Sequence, residues 1–207
     1  MRNKMARTMR QAFRSIQSDS AQRIVDGYAF LLRRILSGDI AALDALGSML
    51  TYGVGVERNL RLAAACYAVA SRASHAGATY NLAAAFIEGA GIPKNLHKGL
   101  RLLRAAGRAG EASAINYLGY CYRVGEGVKK DPRRGFGLSL QAAKAGAAAA
   151  QYDVGMCLLT GTGVEGDPTT AQRWILRAAR GGDLHAQEYL ERRTRRERSR
   201  RQNQRRK

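Results

Sequence analysis

Proline, aromatic residues, acidic residues and long apolar runs are all in short supply. Three prolines in 207 residues leave little to interrupt a helix. Aromatics reach only 7%, while alanine fills stretches such as LRLAAACYAVA and QAAKAGAAAAQYDVG, a composition that favours closely packed helices. No unbroken apolar run approaches the ~20 residues that span a bilayer, so a transmembrane helix is not expected. The opening MRNKMARTMRQAFRSIQS has no continuous apolar core and does not read as a secretory signal. The expected location is the cytoplasm, with organelle targeting by this basic stretch left open.

Cysteine is equally limited. Cys66, Cys121 and Cys157 form an odd set without CxxC spacing. Stacked helices lie about 8–10 Å apart axis to axis, farther than the roughly 7 Å that a disulfide allows between Cα atoms. All three read as small packing residues. His75, His97 and His185 share no repeat position, so no metal cluster and no cofactor are expected. Acids are outnumbered 16 to 35 by Lys and Arg, giving +19. That charge gathers at the ends: +9 from Arg192 to Lys207 and +5 from Met1 to Ser18 leave only +5 for the rest.

Glycine, by contrast, recurs in a fixed rhythm. The pairs Gly53/Gly55, Gly89/Gly91, Gly125/Gly127 and Gly161/Gly163 follow one another at 36 residues without drift, which signals a repeat architecture. In the same register stand Ala42, Ala78, Ala114, Ala150 and Ala186, then Leu46, Leu82, Leu118 and Val154, each followed by Gly or Ala. Leu50, Phe86, Tyr122 and Leu158 complete one face of a first helix, A. The small residue beside each Leu predicts a close approach by a second helix. Asn59, Asn95, Asp131 and Asp167 are N-caps for that second helix, B, and Pro132 and Pro168 fit the first helical position. Gly38, Ser74, Gly110, Gly146 and Gly182 mark where each B helix ends. The glycine pair therefore reads as the turn between A and B. GTGVEG at Gly161–Gly166 matches a dinucleotide fingerprint in letters only, because that fingerprint must follow a strand.

The pattern of Ala, Leu-Gly, glycine loop, Asp and a closing Ala-Ala-Gly stretch is fullest in ASAINYLGYCYRVGEGVKKDP and AAAAQYDVGMCLLTGTGVEGDPTTAQRWILRAARGG. It resembles the Sel1-like repeat family, relatives of the tetratricopeptide repeat. The resemblance implies an all-α solenoid of antiparallel helix pairs stacked into a right-handed superhelix. Its four repeats would cover residues 38–182, with a basic degenerate helical cap over 1–37, a capping helix over 183–194 and a disordered basic tail over 195–207. Ser74, Ala83 and the missing prolines of the first two units depart from the pattern and are expected to loosen that half. In the first segment, Met5, Met9, Ala12, Phe13 and Ile16 form an apolar stripe opposite Arg7, Arg10 and Arg14, which fits a capping helix, a membrane-surface helix or a targeting segment.

The same resemblance implies a non-catalytic adaptor or scaffold that holds a protein or peptide partner in a concave groove formed by the A helices. Carried over position by position, it points to Asp44, Tyr80, Asn116, Tyr120, Arg123, Tyr152 and Met156 as groove residues, although the tyrosines could instead pack against the next repeat. A second reading rests on the tail. Arg192, Arg193, Arg195, Arg196, Arg198, Arg200, Arg201, Arg205 and Arg206 could engage nucleic acid or an anionic membrane surface, together with the basic N-terminal helix. The tail has no interleaved aromatics for base stacking. No nucleophile–base–orienter set stands out, so an enzyme is not expected.

Overall fold

The computed structural model describes residues 21–205, and among them are ten helices and no strand. Helix α1 (Ala21–Leu36) precedes four A–B pairs. The A helices are α2 (Ile40–Tyr52), α4 (Ala76–Glu88), α6 (Ala112–Val124) and α8 (Ala148–Thr160). Their B partners are α3 (Leu60–Arg72), α5 (Leu96–Arg108), α7 (Pro132–Lys144) and α9 (Pro168–Arg180). The last helix is α10 (Leu184–Arg205). Of the expected N-terminal helical cap only α1 is described; the apolar stripe from Met5 to Ile16 lies outside the described residues. The chain divides after Ala109 into two compact units. Unit 1 holds repeats 1 and 2, and unit 2 holds repeats 3 and 4.

Each pair is built by the same local chemistry. Gly53, Gly89, Gly125 and Gly161 close the A helices in the left-handed conformation, and each amide donates to a carbonyl one turn back. Four residues of a different kind then start the B helices. The side chains of Asn59, Asn95, Asp131 and Asp167 accept from backbone amides inside the first turn. Their own amides donate back to Leu50, Phe86, Tyr122 and Leu158 of the A helix, at 2.7–3.0 Å. The capping residue thus satisfies orphan donors ahead of it and an orphan acceptor behind it.

The two glycines of each pair prove to have different tasks. The first, as expected, is a helix end with positive φ. The second is placed for close approach as well as for φ: a Cβ on Gly91 would occupy the carbonyl of Leu60, and one on Gly163 the carbonyl of Pro132. In repeats 2 and 4 the second glycine thus seats the loop on the start of the preceding B helix. At the B-helix ends Gly38, Gly110, Gly146 and Gly182 have positive φ and Ser74 shares the conformation at +62°.

Ala42, Ala78, Ala114, Ala150 and Ala186 are all completely buried, as are Ala70, Ala142 and Ala178. Helix pairs come together where one partner lacks bulk. Gly119 and Gly135 face each other across α6 and α7, and a Cβ on Gly135 would stand 2.6 Å from the Gly119 carbonyl. In repeat 2 the A-helix position is Ala83, but Gly99 on α5 provides the room instead: a Cβ there would lie 2.9 Å from the Ala83 carbonyl. The departure at Ala83 is compensated across the pair.

The final helix differs from its expected extent. It does not stop near residue 194 but continues to Arg205. Nothing after Asp183 breaks a helix, arginine and glutamate are good helix formers, and Glu188–Arg192 and Glu191–Arg195 form i,i+4 pairs.

Candidate functional site

Within each unit, side chains of one A helix meet those of the A helix in the next repeat. In unit 1, Asp44 on α2 is tied to the next repeat: the Asn81 side-chain amide donates to its Oδ1 at 2.8 Å. His75 Nδ1 approaches Asp44 at 3.7 Å, yet that nitrogen accepts the Ala78 amide at 3.1 Å as the N-cap of α4. It cannot donate to Asp44 at the same time, so the contact is proximity and not a hydrogen bond. Beside this rung is a cleft of about 160 Å³ whose lining includes Tyr52, Tyr67, Tyr80, Asn81 and Glu88. Ligand pockets usually measure roughly 300–1,000 Å³, so the cleft has room for a side chain and not for a whole small molecule. Tyr67 forms part of its wall, with its hydroxyl 3.0 Å from Thr51 Oγ1. Burial pushes that phenol above its ordinary value of 10.0, against the opposing hydrogen bonds from Ser48 and Thr51.

Unit 2 repeats the rung with the roles exchanged. Asn116 on α6 donates through Nδ2 to Asp153 Oδ2 of the next repeat at 2.8 Å. Asp153 also receives Arg123 at 3.3 Å, and Arg123 donates to the buried Ser139 hydroxyl at 2.6 Å. The Arg123 side chain is only 11% exposed. It braces α6 against α7 and α8, with its charge committed inward. Asn116 Oδ1 is buried and has no partner. Tyr120 is 43% exposed, with its ring tilted against Tyr117 at 6.0 Å. Tyr152 stacks on His185 of α10 at 6.1 Å, and both Tyr152 and Met156 pack on the core around Ile175, Ala178 and Ala186. Of the seven expected groove residues, Tyr120 is exposed and the half-buried Tyr80 lines the unit 1 cleft, whereas Arg123 is turned inward and the half-buried Tyr152 and Met156 pack on the core.

Sequence reasoning missed Tyr52, Tyr67, Asn81, Ser139 and Asp153. Asn81 and Asp153 lie one place after the chosen register, because the rung joins residues 37 apart rather than 36. Tyr52 was detectable as the residue just before the capping glycine.

Ser139 faces a guanidinium, which cannot accept its proton, so no nucleophile–base pair forms there. Burial raises the thiol pKa of Cys66 and Cys157 above the ordinary value, which disfavours the reactive thiolate. In the tail, Arg192 and Arg195 pair along α10 with Glu188 and Glu191, and Arg193 and Arg196 are exposed. The side chains of Arg198, Arg200, Arg201 and Arg205, and the whole of Arg206, lie outside the described residues. No helix among the described residues is long and apolar enough to cross a membrane.

The Sel1 repeat model matches residues 40–75, 76–111, 112–146 and 148–183, one A–B pair in each. Among solved structures, a Sel1 repeat protein from Oxalobacter formigenes aligns with a TM-score of 0.68 at 25% identity, over 88% of this chain and 73% of that one. An immunity protein from Pseudomonas aeruginosa gives 0.66 at 23%, over 86% and 66%. A protective antigen of uropathogenic Escherichia coli strains with an SLR fold gives 0.61 at 21%, over 86% and 38%. Comparison with curated proteins gives no match.

Proposed function

Because the chain belongs to the Sel1 repeat family, whose repeats generally mediate protein–protein interaction, we propose that it is a non-catalytic adaptor whose A-helix faces hold a peptide or protein partner. The tyrosine-walled cleft of unit 1 is the observation that carries this reading. Tyrosine presents a large rigid surface with a polar tip and is enriched where proteins meet. Tyr52 is 77% exposed, which leaves a wide aromatic surface without packing at the cleft edge. The exposed carboxylate of Glu88 lies on the same lining, and the A helices of unit 1 carry no Lys or Arg. A segment with one apolar side chain for the cleft and a cation beside it fits this lining. In unit 2 the exposed Tyr120 supplies a second contact.

Selection of a displayed peptide library on the intact protein tests the reading. Selected peptides should place Lys or Arg next to an apolar residue. Tyr80→Ala should weaken them by about 2 kcal/mol, the scale of a buried interface anchor, with melting unchanged. Peptides that bind Tyr52→Ala and Tyr80→Ala proteins as well as wild type would remove the cleft from the function.

A further inference from the structure

Charge is sorted between the two kinds of helix. The four B helices carry twelve Lys and Arg and no Asp or Glu, and all twelve cations are exposed. The four A helices carry Asp44, Glu88 and Asp153 against Arg123 alone. Part of this has a structural explanation. Arg72, Arg108, Lys144 and Arg180 share one register position in the last helical turn, where a cation complements the helix dipole. Arg177 also falls in the last turn of α9, but the dipole does not account for Arg173, in the middle of the helix, or for the side chain that follows it.

Trp174 is the single tryptophan of the chain. With Thr170, Arg173, Leu176, Arg177 and Arg180 it lines an open cavity of about 540 Å³ that contains no acid. Arg177 stands over the indole ring at 5.4 Å. A related arrangement occurs at the start of α7, where Arg134 covers Tyr122 at 4.3 Å. There, Lys129, Lys130 and Arg133 line a wider cavity of about 990 Å³, which also holds Asp131 and Glu165. The Asp131 carboxylate is engaged as the N-cap, while Glu165 weakens the field. The α9 cavity is therefore the stronger anion site.

We propose that the B-helix face of unit 2, centred on Trp174, is a docking surface for single-stranded nucleic acid. Two chemistries are offered together, a set of exposed guanidinium forks and the open part of a half-buried indole whose remainder packs on the core around Ala142, Val154 and Ala171. A nucleotide matches both, with phosphate oxygens for the arginines and a base for stacking. Ten of the twelve B-helix cations are Arg, the residue whose planar fork suits phosphate. A lipid surface or an acidic protein supplies the anions but no base plane. This surface pairs arginines with an aromatic ring, whereas the tail has arginines without aromatics.

Because Trp174 is the only tryptophan, its emission reports on the site directly. The intact protein is titrated with a ~20-nucleotide oligothymidine, the same sequence as duplex, and anionic phospholipid vesicles at low salt. Oligothymidine should quench the emission saturably, with a slope of log K against log salt near −2 to −3 for three or four phosphates. Replacing Arg173 and Arg177 by Ala should weaken binding about tenfold or more and make the slope shallower by about 1.4, with circular dichroism unchanged. Replacing Arg195 and Arg196 by Ala should leave the quenching amplitude intact. Absence of binding, or binding without quenching, overturns the proposal. So does equal affinity for duplex, which would mean charge attraction alone, or equal quenching by vesicles, which would mark a lipid surface.

Discussion

In repeat 1 the space between A and B is filled by a tyrosine from α3, whereas in repeat 3 it is filled by an arginine from α6. Tyr67 and Ser139 occupy one register position, and Thr51 and Arg123 occupy another. The long side chain thus comes from the B helix in one repeat and from the A helix in the other, with a small hydroxyl residue opposite each time. Gly47 makes room for the Tyr67 ring, and Gly119 and Gly135 make room for Ser139 and Arg123. The difference is electrostatic more than steric. A phenol is satisfied by Thr51 and Ser48 within its own repeat, while a guanidinium needs a carboxylate and finds Asp153 in the next one. Repeat 3 is consequently coupled to repeat 4 in a way that repeat 1 is not coupled through Tyr67 to repeat 2.

The largest effect should come from emptying the repeat 1 interior. Tyr67→Ala should destabilise by about 3–5 kcal/mol, the cost of a large aromatic cavity, whereas Ser139→Ala should cost only about 1 kcal/mol, one hydrogen bond. Equal losses in denaturant unfolding would mean the two repeats are filled alike. Next comes the coupling between repeats 3 and 4. A double-mutant cycle on Arg123→Met and Asp153→Asn should give about 1–2 kcal/mol, reduced from the value for a buried pair because Asp153 is partly exposed; no coupling would show the bridge to be incidental. Gly119→Ala should cost about 1–3 kcal/mol by overpacking, and more than Gly47→Ala, because its Cβ meets the Gly135 carbonyl at 2.8 Å as well as a side chain.

The smallest effect is alkaline. Burial raises the Tyr67 pKa, so the fold favours the neutral phenol. That contribution is complete below the ordinary value of 10.0 and is lost as pH climbs through the raised one. Wild type should therefore lose stability above about pH 10 more steeply than Tyr67→Phe. Parallel pH profiles would place the phenol outside the linkage.

The repeat skeleton was legible because backbone geometry restricts residue choice. A left-handed helix end calls for Gly at Gly53, Gly89, Gly125 and Gly161, an N-cap calls for Asn or Asp, and a fully buried contact calls for Ala. These recur in letters at 36 residues. Tolerance hid the rest. His75 and Glu111 cap A helices through side chains that are not typical caps, and Ser74 accepts a conformation usually left to Gly. The sites were less visible still. The rungs Asp44–Asn81 and Asn116–Asp153 exchange amide and carboxylate between partners and run one residue out of phase, so neither spacing nor identity repeats. Tyr80 and Tyr120 were found by register, whereas the inward turn of Arg123 depended on Ser139, a residue sixteen places away on another helix.

Helix α10 behaves as a zipper with its seed at one end. Ala186, Tyr189 and Leu190 pack on unit 2 and supply the costly first turn, and every later residue only has to propagate. Past Leu190 the described side chains are exposed, and the helix extends about 22 Å beyond that anchor at 1.5 Å per residue. Like charges such as Arg192 and Arg196 oppose each added turn, and salt screens that repulsion. The spoke should fray from its far end, gradually on warming and less at high ionic strength, while the eight paired helices keep their own cooperative transition.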